Sequence, residues 1–162
     1  MVETLKDPED SLYERDFYAW TQEQAAKLRA RAHDDIDWEN AAEEIETLGR
    51  SDKREVRNRL IIILAHLLKW QFQPGKRSSG WRGSLAESRD QIRELIDESA
   101  SLRPYPASVR DGAYRIARLK AAGESELPEP HFPETCPYSV EQILDLDFLP
   151  EADSEDYQHR LP

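Results

Sequence analysis

SDKREVRNRLIIILAHLLKWQFQPG, residues 51–75, decides the fold class. From Leu60 to Leu68 every residue but His66 is apolar. A helix that is apolar all round has to be enclosed by other helices. The run is far shorter than the roughly 20 residues that span a bilayer, so it reads as a core helix. Ser51 suits the N-cap and Asp52 the first turn, while Pro74 and Gly75 end the element. The pattern predicts a helix over 52–72 at the centre of the domain.

On the N-terminal side, Trp38, Ala41, Ala42, Ile45 and Leu48 recur on one helical face. They predict a helix over 37–48, with Gly49 as its C-terminal stop. Further upstream, Ser11-Leu-Tyr-Glu14 and Thr21-Gln-Glu-Gln24 spell capping boxes, in which a hydroxyl caps the helix and the residue three on returns the bond. They predict a turn of helix near 12–19 and a helix over 21–33, packed through Tyr13, Phe17, Tyr18 and Trp20.

On the C-terminal side, 74–83 reads as a loop, and Ser84-Leu-Ala-Glu87 as the start of a helix to about 99. Leu85, Ile92, Leu95, Ile96 and Ser99 line its inner face. Pro104 and Pro106 break the chain before a helix over 106–122 with Gly123 as its stop. Pro128, Pro130, Pro133 and Pro137 forbid a long helix over 124–138. Ser139-Val-Glu-Gln142 then opens a short last helix. No segment alternates with period two, and no repeat recurs. The predicted fold class is all-α: one domain over 1–162, an antiparallel bundle of about five main helices plus a short C-terminal helix. Its core would cover about 11–150, with 1–10 and 151–162 frayed.

A chain of 162 residues buries enough surface to need no disulfide or metal staple. The single cysteine, Cys136, forms no internal disulfide and suits a reducing compartment. The acidic N-terminus does not read as a signal peptide, so the expectation is a cytoplasmic protein without a membrane. The net charge of −11 hides a segregation. Arg50–Arg82 has nine basic and two acidic residues, +7, and the remainder carries −18. Global acidity disfavours nucleic acid, whereas a local basic segment can meet an acidic partner or acids of the same fold.

Three constellations could carry chemistry. Glu39, Glu43 and Glu46 share one face of the 37–48 helix. They are weak candidates for a divalent metal and otherwise a solvated or salt-bridged face. The chain has no Glu-x-x-His pair of the di-iron type, and Glu43-Glu-Ile-Glu-Thr47 misses the Glu-Glu-x-x-Glu pattern of all-α nucleotide pyrophosphatases, although Glu87-Ser-Arg-Asp90 fits that pattern's second half. His66, Lys69 and Trp70 lie together on the central helix, and a polar group there needs a partner. Glu43 or Glu46 on an antiparallel neighbour would supply one; a backbone carbonyl is the plainer alternative. Lastly, Lys76, Arg77, Trp81 and Arg82 form a basic loop before a helix N-terminus, suited to an anion or to base stacking. It lacks P-loop spacing, and a solvated loop with aromatics at the edge of the core is the plainer alternative. No zinc spacing, Gly-x-Ser-x-Gly or His-Glu-x-x-His occurs.

YERDFYAWTQEQAAKLR from Tyr13, EEIETLGRSDKREV from Glu43, LAHLLKWQFQP from Leu64, GWRGSLAESRDQI from Gly80 and FPETCPYSVEQILDLDFLP from Phe132 together resemble the bacterial family called domain of unknown function 29. The resemblance covers about Tyr13 to Pro150. It implies a small all-α bacterial protein and brings no activity, substrate, cofactor or catalytic residue.

The function expected from the residues is a non-enzymatic helical module that binds a protein partner or a second copy of itself. One alternative is a metal-dependent enzyme or regulator acting on a phosphate-bearing ligand; a second is a nucleic-acid-associated protein. Whether the chain is an enzyme stays open, and no cofactor is implied.

Overall fold

The computed structural model describes residues 11–153. The expectations for 1–10 and 154–162 lie outside the described residues. All-α is correct: six α-helices and no strand occur among the described residues. They are α1 (Leu12–Arg15), α2 (Phe17–Arg29), α3 (Trp38–Phe72), α4 (Ser79–Glu98), α5 (Tyr105–Ser125) and α6 (Val140–Leu144).

Two helices predicted over 37–48 and 52–72 are one helix of 35 residues. Gly49 does not stop it. A helical glycine costs only about 1 kcal/mol relative to alanine, and Arg50 ties down the turn before it. The Arg50 guanidinium donates to Glu43 Oε1 and Thr47 Oγ1, each at 2.8 Å. Ser51, expected as a cap, is therefore an interior residue of α3.

The chain divides into two compact units, Met1–Arg50 and Ser51–Pro162. In the first, Asp16 caps α2 by accepting from Ala19 N at 2.9 Å. Thr21, expected as the cap, sits inside the helix and donates to Tyr18 O. Trp20 and Gln24 are the buried side chains of α2. Both hold the start of α3: the Trp20 indole donates to Asp37 Oδ2 at 3.2 Å, and Gln24 Oε1 accepts from Asp37 N at 2.8 Å. Tyr13 packs edge-on to Trp20 and donates from its hydroxyl to Glu44. That carboxylate pushes the phenol up to about 12.

In the second unit, the all-round apolar run is enclosed as predicted. Val56, Leu60, Ile63, Leu64, Leu67 and Leu68 are fully buried. Leu85 and Ile92 of α4 join them, as do Ala113, Ala117 and Ala121 of α5. Three alanines at spacing four let helix axes approach closely. Phe132, Tyr138 and Ile143 complete this core from the C-terminal segment. The Tyr138 hydroxyl donates to Gln71 Oε1 at 2.7 Å, and the Tyr114 hydroxyl donates to Pro133 O at 2.5 Å.

α4 starts at Ser79, capped by Ser78, which accepts from Trp81 N. The predicted cap Ser84 is internal, so Trp81 and Arg82 lie on a helix and not in a loop. Only a short 3-10 turn, Pro74–Lys76, separates α3 from Arg77. The box at Ser139 is formed in full, with both reciprocal bonds to Gln142. Gly123, expected as the stop, lies inside α5, which runs on to Ser125, and the prolines beyond it leave a 3-10 turn at Glu129–His131.

Candidate binding surface

On the first unit's part of α3, Trp38, Ile45 and Leu48 are 50%, 69% and 68% exposed. The apolar face legible in the sequence is thus formed, and its three large side chains are half or more exposed. The unit's own helices pack elsewhere on α3: Tyr13 reaches Glu44, and Trp20 and Gln24 reach Asp37. Trp38 is held at one end of the face. Its indole donates to His33 O at 3.1 Å, and its ring lies 4.9 Å from the His33 ring. Asp37 is fixed beside it. Burial opposes its ionisation, but hydrogen bonds from the Asn40 side chain and backbone and from the Trp20 indole prevail, so its carboxyl sits below the ordinary value.

Glu39, Glu43 and Glu46 border this apolar face and are exposed. Glu43 and Glu46 share Arg50, at 2.8 and 3.5 Å. Such exposed pairs contribute about 0–1 kcal/mol. No group of three or more His, Cys, Asp or Glu among the described residues is arranged to hold a metal ion.

The residues from His66 to Arg82 belong to the second unit. His66 does not meet Glu43 or Glu46, which lie on the same helix and not on an antiparallel neighbour. Its Nδ1 lies 2.8 Å from Ile62 O, one turn back. Burial is the largest influence on the imidazole and, with Lys69 nearby, lowers its proton affinity despite that carbonyl. Lys69 is buried and bonds Glu124 Oε2 at 2.7 Å. Its ammonium also lies 5.0 Å from the Trp81 ring. Arg77 lies over the Trp70 ring at 4.8 Å and donates from Nε to Trp70 O at 2.9 Å. Two aromatic faces that could have stacked on a base are thereby occupied by cations of the same chain. Lys76 is exposed. Arg82 lines a hollow of about 410 Å³ with Arg89 and Asp147.

Sequence reasoning missed Arg89, which is 2% exposed and donates to Ile143 O at 2.8 Å and Gln142 O at 3.3 Å. It also missed Glu124 as the partner of Lys69. Neither contact has a local signature, because each spans more than fifty residues. Cys136 is half-buried, and its Sγ lies 3.5 Å from Tyr138 O. Burial pushes this thiol up, although the Tyr138 contact and Arg110 act the other way.

No helix among the described residues is long and apolar enough to cross a membrane. No curated protein and no solved structure matches the chain. The family model described as "Domain of unknown function DUF29" matches residues 12–149. The elements from α1 to α6 all fall within that match, and the chain belongs to this family.

Proposed function

We propose that the chain is a helical protein-binding module whose contact face is Trp38, Ile45 and Leu48, bordered by Glu39, Glu43 and Glu46. One observation carries the reading: three large apolar side chains on one face of α3 are half or more exposed. Single exposed apolar residues are ordinary, whereas an apolar row with a polar rim is the usual form of an interaction site. Burying an isoleucine or leucine from such exposure contributes roughly 1–2 kcal/mol each. The basic segment Lys69–Arg82 contributes less to this reading, because Lys69 and Arg77 are engaged within their own unit.

Site-specific photocrosslinking tests it. A photoreactive residue at position 45 should capture one discrete protein in cells of the organism of origin. The same residue at exposed Glu98 should not. The captured protein, purified, should bind the full chain in calorimetry and lose about tenfold in affinity on Ile45→Ser. Equal capture from positions 45 and 98, or unchanged affinity for the variant, would refute the reading.

A further inference from the structure

The contact face is chemically asymmetric, and the asymmetry restricts what can cover it. Its apolar row repeats at helical spacing over Trp38, Ala41, Ile45 and Leu48. Ala42 and Gly49 flank it with little side chain, and a Cβ added at Gly49 would meet nothing within 4 Å. A ridge with shallow grooves beside it accepts the ridge of another helix. Strand addition by an extended peptide would need a sheet edge, and no strand occurs among the described residues.

The charge around the row is predominantly negative. Residues 38–50 contain four glutamates and one arginine. Glu44 is occupied by the Tyr13 hydroxyl, while Glu43 and Glu46 must share Arg50. No hydrogen bond or ion pair engages the Glu39 side chain among the described residues. The sequence of the first unit as a whole follows suit: residues 1–50 hold fourteen acids against six lysines and arginines. Laying this face on the same face of a second copy would bring the glutamate rows together, and like charges in apposition oppose association. An anionic membrane surface is repelled for the same reason.

We propose that the occupant of this face is an amphipathic helix of another protein that carries lysine or arginine beside its apolar stripe. The inference rests on the reading of the Trp38–Leu48 face as a protein-binding surface and adds the partner's chemistry. Leucine-like side chains would seat on Ile45 and Leu48 beside Ala42 and Gly49. Cations along the flank would meet Glu39 and Glu46, adding charge-assisted contacts and faster encounter at low salt.

The test uses the full chain and three fluorescent helical peptides of about 20 residues. One has a leucine stripe flanked by lysines, the second the same stripe flanked by glutamates, and the third the same stripe flanked by glutamines. Anisotropy titration should show binding of the lysine peptide alone, weakening with added salt. Ile45→Ser with Leu48→Ser should reduce its affinity about tenfold. Glu39→Gln with Glu46→Gln should reduce it about threefold or more and flatten the salt dependence. If the glutamine or glutamate peptide binds as tightly and depends on Ile45, the face binds helices but the cationic specificity is wrong. If no peptide binds, or the serine variant binds unchanged, the proposal fails and the reading of the face weakens with it. An Ile45-dependent dimer in sedimentation, or Ile45-dependent pelleting with anionic vesicles, would replace the partner helix by a second copy or a membrane.

Discussion

Arg89 donates to the carbonyl of Ile143 at 2.8 Å, across 54 residues of sequence. The guanidinium also reaches Gln142 O. α6 spans only Val140–Leu144 and has no stability of its own at that length. Arg89 answers carbonyls at its C-terminal end, where a cation also complements the helix dipole. Burial lowers the proton affinity of the guanidinium, and Asp145 and Asp147 oppose that effect.

Arg89→Met keeps the length of the side chain and removes its donors. Two carbonyls near the core then lose their partner. The expected cost is about 2–4 kcal/mol in urea unfolding, with Arg89→Lys recovering only part of it because one ammonium cannot reproduce the guanidinium fork.

His66 sets a pH dependence. Its folded proton affinity lies below the ordinary value of 6.5, so the unfolded chain binds more protons as acid is added. Stability therefore falls as pH drops through about 6.5, and the loss levels off below the folded value. His66→Gln should flatten unfolding free energy between about pH 7 and pH 5.5. An unchanged slope in that window would contradict the assignment.

α5 ends at Ser125, and Glu126 follows with φ of 58°. A side chain in this left-handed conformation carries a cost that glycine avoids. Glu126→Gly should raise stability by about 0.5–1 kcal/mol, read as a higher urea midpoint at constant slope.

Ile45 and Leu64 should separate surface from core. Ile45→Ser should change folding free energy by no more than about 0.5 kcal/mol. Leu64→Ala, fully buried, should cost about 2–5 kcal/mol. The first substitution is then safe to use in binding experiments.

The central helix was legible because an apolar run such as Leu60–Leu68 leaves a helix no face for water. Ser139 was legible because Gln142 completes its box and Pro137 confines the start. The helix starts at Thr21 and Ser84 were misread for a common reason. Their spelling fits a box, but Asp16 and Ser78 lie upstream and cap first. Gly49 was misread because a glycine weakens a helix without obliging it to end. At the candidate surface, the apolar face from Trp38 to Leu48 could be read from spacing. Its exposure could not, since that depends on where α1 and α2 pack. The partners of Lys69 and Arg89 were invisible for want of any local pattern linking them to Glu124 and Ile143.

Cys136, the only cysteine in the chain, gives the C-terminal segment a built-in clock. Its thiol is half-buried against Tyr138 O and biased toward the protonated form by burial. A thiolate-seeking reagent should therefore modify the native protein slowly and at one site. Loosening of the chain around Tyr138 and Ile143 should speed that reaction, with no label added elsewhere. Arg89→Met would reveal itself as faster alkylation under native conditions, before any change in helical signal.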